Sequence, residues 1–306
     1  MVEKLQKIWL DGELVPWDDA NVHLLTHSLH YGLGAFEGIR AYKRANGKSY
    51  IFRLKEHIER LFDTCKMVLI QPRFTREQIT QACHDTLAAN HLDEGYLRPV
   101  IFVGDGAMGI YAPNNPIRTT VIAWKWGAYL GDEALKSGIR VKISSFARHH
   151  INVSLAKAKM MGQYTNSMLA KREAKLAGYD EAVLLDPYGY VSEGSGENIF
   201  IVKKGVLHTP DLSSSILEGI TRDTVITLAR EMGYEVREGR ISRDQLWLAD
   251  ECFFTGTAAE VTPVREVDNR AIGDGVVGPI TRRIQEKFFD VVRGDDTSHS
   301  EWLTPL

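Results

Sequence analysis

Asp11-Gly12 lies between two short apolar runs, Ile8-Trp9-Leu10 and Leu14-Val15. An Asp-Gly pair tolerates the left-handed backbone of a two-residue hairpin, so the chain commits to antiparallel pairing from its start. Asn46-Gly47 repeats the signal between a strand at Ala35 to Tyr42 and another at Ser49 to Phe52. Two helices interrupt the strands. The first, over 55–69, carries the stripe Ile58, Leu61, Phe62 and Cys65; the second opens on a Thr75/Gln78 capping box, with Phe74 stapled onto Ile79. Strands at Tyr96 to Val103 and Thr120 to Trp124 complete an α+β N-terminal domain, residues 1–126. Gly104-Asp105-Gly106-Ala107-Met108-Gly109 has dinucleotide-fingerprint spacing after a strand, but Pro113-Asn114-Asn115-Pro116 stands where the helix should begin. Without a helix N-terminus there is no seat for a pyrophosphate, which excludes a Rossmann domain.

A linker over 127–137, built on Gly127 to Asp132, leads to a second domain, 138–306. It begins with a strand at Ile139 to Ile143 and reaches the stretch that carries chemistry. Lys159 lies five residues before Tyr164; a helical stretch follows, then a buried strand, Glu181 to Asp186, then the glycine-rich turn Ser192-Glu193-Gly194-Ser195-Gly196-Glu197-Asn198 entering the strand Ile199 to Val202. Beyond it lie a helix with the stripe Val225, Leu228, Ala229 and Met232, ended by Gly233, and a strand from Cys252 into a Gly256-Thr257 turn. The tail from Asp295 is polar and expected to be loosely held.

An amine, a phenol and a carboxylate are what an aldehyde cofactor such as pyridoxal 5′-phosphate (PLP) requires: one to form the imine, one to hydrogen-bond the ring oxygen, one to keep the pyridine nitrogen protonated. Taken alone the trio is also what a surface lysine near a tyrosine looks like. Lys159-Met160-Met161-Gly162-Gln163-Tyr164 and Ser192 to Asn198 together resemble the signature of the fold-type IV PLP enzymes, D-amino-acid aminotransferase-like, with two α/β domains and the cofactor between them. Within that group the chain most resembles the bacterial branched-chain amino-acid aminotransferases, from about Ile8 to about Phe289.

The resemblance places the imine on Lys159 rather than Lys157, gives Tyr164 the ring oxygen and gives Glu193 the pyridinium; Glu197 is the competing carboxylate, which spacing alone does not exclude. It implies Arg60, Leu217, Gly219, Ile220, Thr221, Gly256 and Thr257 around the cofactor, with the phosphate at the Gly219-Ile220-Thr221 helix start, the Thr257 turn and the Arg60 fork. For substrate it implies Phe36, Gly38, Arg40, Trp126, Tyr129, Tyr164 and Ala259 around the side chain, with Tyr31 and Ile110 lent by a neighbouring subunit. Tyr96 and the amides of Thr257 and Ala258 would take the α-carboxylate, and Arg98 the second carboxylate of glutamate or 2-oxoglutarate. The activity implied is reversible transamination of L-leucine, L-isoleucine and L-valine with 2-oxoglutarate, in a homodimer or the hexamer common in bacterial relatives.

The alternatives of the same fold are D-amino-acid aminotransferase and aminodeoxychorismate lyase. The former's pattern has a histidine two residues after the arginine, where this chain has Val100; the latter departs from Glu37-Gly38-Ile39-Arg40 and Gly256-Thr257-Ala258-Ala259, both intact here. A catalytically dead PLP-binding protein is the alternative of another class. Met160-Met161 occupies positions where relatives carry smaller residues, and is expected to reshape the cofactor face.

Charge and composition set the remaining bounds. A net charge of −3 gives no basic footprint for nucleic acid or membrane. No apolar run approaches bilayer length and the N-terminus lacks a signal-peptide core. Cys65, Cys83 and Cys252 have no metal-ligand spacing, and a reducing cytoplasm is the expected compartment. His23, His27 and His30 recur at helical spacing with no carboxylate or cysteine to complete a ligand set, so no metal is expected.

Overall fold

The computed structural model describes residues 2–127 and 130–306. The chain forms two compact units: Met1–Trp126 with Ala158–Gln163 and Val291–Leu306, and Gly127–Lys157 with Tyr164–Asp290. The second domain expected from residue 138 onward thus contributes two pieces to the first unit, each because its backbone pairs there. The expected linker is also shorter, since Asp132–Ser137 is already helix.

In the first unit β1 (Lys7–Leu10) and β2 (Glu13–Pro16) turn through Asp11 and Gly12, at φ 51° and 110°, as the Asp-Gly pair requires. Next come α1 (His27–Tyr31), β3 (Gly34–Phe36), β4 (Ile39–Lys43), β5 (Ser49–Phe52), α2 (Leu54–Met67), α3 (Arg76–Ala89), β6 (Gly95–Val103) and β7 (Ile117–Trp124). The Thr75/Gln78 capping box forms, while Phe74 lies edge-on to Trp9, 4.9 Å between centroids. Ile58, Leu61 and Cys65 of α2 and Ile79, Cys83 and Leu87 of α3 are buried in one core with Leu97, Ile101 and Val121 of the sheet. No helix follows β6 before β7, so no dinucleotide turn forms.

Residues 35–42, expected as one strand, are two. Ala35 pairs with Ile101 and Ile39 with Leu97, a single register on β6 that is interrupted where Glu37 faces Pro99. Pro99 has no N–H to give, so only Glu37 N–H to Pro99 O survives, at 2.9 Å. The break frees Glu37 and Gly38 from the ladder.

In the second unit α4 (Asp132–Ser137) and β8 (Ile139–Ile143) lead to α5 (Tyr164–Leu176), β9 (Glu181–Leu185), β10 (Val191–Gly194), β11 (Asn198–Lys203), β12 (Val206–Thr209), α6 (Ile220–Glu231), β13 (Val236–Glu238) and α7 (Arg243–Trp247). Then follow β14 (Glu251–Gly256), β15 (Glu260–Val267), β16 (Arg270–Ala271) and α8 (Pro279–Arg293). The sheet runs β10-β9-β8-β15-β14-β11-β12-β13 and is mixed, with β8 parallel to both β9 and β15.

The C-terminal tail is not loose. β17 (Leu303–Pro305) pairs antiparallel with β5, Leu303 opposite Phe52, and Trp302 and Leu303 are buried. These two apolar anchors outweigh the polar stretch before them. Trp302 O accepts from Arg53 N–H at 2.7 Å, and the Arg53 guanidinium lies 5.1 Å over the indole, bracing the start of α2.

Candidate active site

Lys159 belongs to the first unit because residues 159–162 add to the free side of β3. Phe36 N–H donates to Lys159 O at 3.1 Å, Met161 N–H to Gly34 O at 2.9 Å and Gly162 N–H to Gly32 O at 2.9 Å. Glycines make this approach possible. A Cβ on Gly32 would lie 2.9 Å from Gly162 Cα, and one on Gly34 would lie 2.5 Å from Met161 Sδ. The Met161 side chain is thus packed over Gly34. Lys159 N–H also donates to Thr64 Oγ1 at 3.0 Å, and its Nζ stands 5.1 Å over the Phe36 ring. Lys157, two residues back, spends its ammonium on Leu212 O at 2.5 Å and Ile216 O at 2.9 Å in the second unit.

Beside Lys159 sits a buried charged cluster that sequence reading missed. Glu37 accepts Arg60 Nε at 2.7 Å and Nη2 at 2.9 Å, and His57 Nδ1 at 2.7 Å. Burial pushes the Glu37 carboxyl up, but the charge of Arg60 and the hydrogen bonds from Arg60 and His57 outweigh it and hold it far below the usual carboxylate range. Burial lowers His57, opposed by Glu37 and reinforced by the charges of Arg60 and Lys159. His57 is therefore neutral, donating through Nδ1. The Nε/Nη2 face of Arg60, expected to clamp a phosphate, is engaged by Glu37.

The substrate residues of the first unit surround a guanidinium. Arg98 lies 4.8 Å from the Phe36 centroid, 5.4 Å from Tyr96 and 5.5 Å from Trp124, with Nη2 3.4 Å from Tyr96 Oη. Its Nε is buried with no acceptor, and among the described residues no carboxylate pairs with it. Trp126 stacks edge-on to Tyr96 at 4.6 Å and is held by Arg40 Nη2 donating to its carbonyl at 2.9 Å, which makes Arg40 a buried brace. Gly38 is required by its neighbour: a Cβ there would fall 1.8 Å from Tyr96 Oη. Tyr31, with its ring 4.5 Å from His27, and Ile110 are exposed, the latter at 93%. The imidazoles of His23, His27 and His30 are used locally: His23 Nδ1 accepts Leu25 N–H, while His27 and His30 bond the carbonyls of Gly109 and Leu24. Tyr129 lies outside the described residues.

In the second unit Tyr164 opens α5, and Glu193, 4% exposed, lies on β10. Glu193 Oε2 accepts Leu217 N–H at 3.0 Å and Asn198 Nδ2 at 3.2 Å; Arg148 Nη2 pairs with Oε1 at 2.8 Å. Asn198 Nδ2 also donates to Leu217 O at 3.0 Å, and its Oδ1 would lie 1.9 Å from a Cβ on Gly219, the N-cap of α6. One asparagine thereby ties the buried carboxylate to the start of a helix whose first residues are Ile220 and the buried Thr221. Gly256 and Glu260 close a three-residue hairpin over Thr257, Ala258 and Ala259, with Glu260 at φ 55° and Thr262 Oγ1 donating to Ala259 O at 2.6 Å. Glu197, the rival carboxylate, is buried on Gly196 N–H at 3.0 Å; burial and then the charge of Glu181 push it up to about 8, so at neutral pH it is an acid and a poor partner for a pyridinium. Arg148 and Asn198 escaped the sequence reading. Asn198 sat inside the recognised turn, whereas nothing local marks Arg148.

This donor set fits PLP: a lysine amine, a phenol, a buried carboxylate with four lone-pair sites of which three are filled, and a glycine-capped helix start for phosphate. Among the described residues no helix is long and apolar enough to cross a membrane. The fold and these residues define a fold-type IV PLP enzyme, and the amino-transferase class IV model matches residues 34–267. The chain belongs to that family. It is 51% identical to a branched-chain-amino-acid aminotransferase of Pseudomonas aeruginosa over 99% of its length and 98% of the relative's. The crystal structure of the Escherichia coli branched-chain amino acid aminotransferase matches with TM-score 0.96 and 46% identity, covering 98% of this chain and 99% of that one. A branched-chain aminotransferase of the archaeon Thermoproteus uzoniensis with norvaline matches at TM-score 0.93 and 41% identity, covering 99% of both chains. A further crystal structure of a branched-chain amino acid aminotransferase, this one with pyridoxamine 5′-phosphate, matches at TM-score 0.95 and 48% identity, covering 98% of both. The chain is a PLP-dependent transaminase of the branched-chain type.

Proposed function

We propose that Lys159, Tyr164 and Glu193 carry the transamination of L-leucine, L-isoleucine and L-valine with 2-oxoglutarate, giving the branched 2-oxo acids and L-glutamate. When bound, PLP supplies the electron sink for the pair left on the substrate when its Cα–H bond breaks. Lys159 would hold PLP by its aldehyde carbon at rest; once the amino acid displaces it from that carbon, its freed amine would take the proton from substrate Cα and deliver one at C4′. Tyr164 would donate to the ring oxygen. Glu193 would accept the ring N–H, its backbone and amide donors fixing where that acceptor points. The α6 start and the Thr257 hairpin give N–H groups and hydroxyls to the phosphate and the α-carboxylate.

The observation that carries the reading is Arg98: a cation caged by aromatic rings, with no anion of its own among the described residues. Apolar walls suit a branched side chain, and the guanidinium suits the second carboxylate of glutamate. The test is a half-reaction spectrum with a panel of amino acids. L-Leucine, L-isoleucine, L-valine and L-glutamate should bleach the cofactor band; faster bleaching by D-alanine than by L-leucine would overturn the assignment.

A second copy of the chain completes the site in this reading. Leu24, Leu29, Tyr31, Ile110 and Tyr111 are exposed apolar residues of the first unit, and His27 Nε2 bonding Gly109 O at 2.8 Å ties together the two segments that carry them. Covering it in a homodimer would lend Tyr31 and Ile110 to the partner's pocket. Three free, buried cysteines suit a cytoplasmic protein.

A further inference from the structure

Three carboxylates are buried together in the second unit: Glu181, Glu193 and Glu197. Two cations pair with them. Lys171 of α5 takes Glu181, and Arg148 takes Glu193. Glu197 has no cation in ion-pair contact among the described residues and holds its own proton at neutral pH. The other cations nearby are committed. Lys157 feels the charge of Glu193 but donates to two carbonyls, with Glu218, Asp211 and Arg222 around it, and Arg222 pairs with Glu238 at 2.8 Å. Among the described residues Arg148 is therefore the sole counter-ion of Glu193.

Its placement is over-determined for a casual surface pair. Arg148 N–H donates to Leu185 O at 2.8 Å at the end of β9. Its Nη1 donates to Asn166 Oδ1 at 3.2 Å and Ser167 Oγ at 3.1 Å on α5, and Asn166 Nδ2 returns to Ala147 O at 3.0 Å. Both ends of the side chain are fixed so that Nη2 meets Glu193 at 2.8 Å.

We propose that Arg148 is a positioning residue of the transamination, holding Glu193 as an anion so that the proton shared with the cofactor's ring nitrogen stays on nitrogen. The inference rests on Glu193 being the pyridinium partner. A buried carboxylate stripped of its counter-ion becomes more basic. The shared proton then passes to Glu193, and a neutral ring nitrogen draws electrons from the substrate carbanion less well.

The experiment reconstitutes the apoenzyme with PLP carrying ¹⁵N in the ring and reads the nitrogen shift at neutral pH in wild type, Arg148→Met, Arg148→Lys and Glu193→Gln. The protonated signal should persist in wild type and Arg148→Lys, be lost in Glu193→Gln, and move toward the unprotonated position in Arg148→Met. With L-leucine, kcat of Arg148→Met should fall about tenfold or more, the scale of losing one electrostatic stabilising group, KM changing far less. Should Arg148→Met not fold, Arg148→Gln keeps an amide donor for Asn166 and Ser167 without the charge and reads the same signal. A protonated signal in both neutral variants, with Glu193→Gln still losing it, overturns the role of Arg148 alone. A protonated signal in Glu193→Gln overturns the Glu193 assignment, and this inference with it.

Discussion

Replacing Arg98 with leucine separates the two substrates that one pocket must accept. A glutamate carboxylate about 4 Å from the guanidinium gains roughly 4 kcal/mol at an effective dielectric near 20. Arg98 is only half-buried, which cuts the net loss to roughly 2 to 3 kcal/mol, a factor of about 30 to 150. L-Leucine makes no such contact. Its side chain keeps the roughly 1.5 to 3 kcal/mol of burial, and it loses only the stacking that Arg98 gives Phe36, Tyr96 and Trp124, about 0.5 to 1 kcal/mol or a factor of two to five. The fold should not suffer, because no ion pair is broken and a buried, unsatisfied Nε is removed. The assay is single-turnover bleaching of the cofactor band with each amino acid, alongside the apoenzyme melting temperature. A loss with L-glutamate about 5- to 70-fold greater than with L-leucine is expected, with melting unchanged or raised. Equal losses would refute the reasoning and mean that Arg98 serves the shared α-carboxylate or the scaffold.

Borohydride reduction and peptide mapping should place the pyridoxyl group on Lys159, and Lys159→Ala should bind PLP yet lose transamination; a label on Lys157 would reverse the assignment. Glu197→Gln should stabilise the protein as pH rises. The folded carboxyl holds its proton up to about 8 while the unfolded one releases it near 4.5, so the wild type loses stability between those values and the variant does not, by a few kcal/mol on the order-of-magnitude scale at pH 8. Chemical denaturation across that range measures it, and parallel curves would show Glu197 ionised in the fold. Gly38→Ala drives a Cβ to within 1.8 Å of Tyr96 Oη, so it should cost about 1 to 3 kcal/mol of stability and raise KM for L-leucine and L-glutamate alike. Unchanged KM for both would remove Tyr96 from the site.

Elements whose cause is local were legible in the residues. Asp11-Gly12, the Thr75/Gln78 box and the α2 and α6 stripes act over a few positions, and each appears where its pattern lies. Lys159 was singled out by the family resemblance of Lys159 to Tyr164 and Ser192 to Asn198, because its spacing to Tyr164 alone is equally that of a surface lysine. What stayed hidden depends on partners distant in sequence. The break at Glu37 comes from Pro99 across the ladder, and the commitment of Arg60 comes from Glu37, 23 positions away. Arg148 reaches Glu193 through α5 and the end of β9, and no spacing rule links them. The tail was misjudged because its polar stretch hides a strand whose partner, β5, lies near the other end of the chain.

That strand sets an order of events during synthesis. β5 leaves the ribosome early, yet the edge it offers stays open until Leu303–Pro305 is made, and the start of α2 waits for Trp302. The first unit cannot finish as an N-terminal domain folding on its own schedule; it stays exposed, with an unpaired strand edge, until those residues emerge.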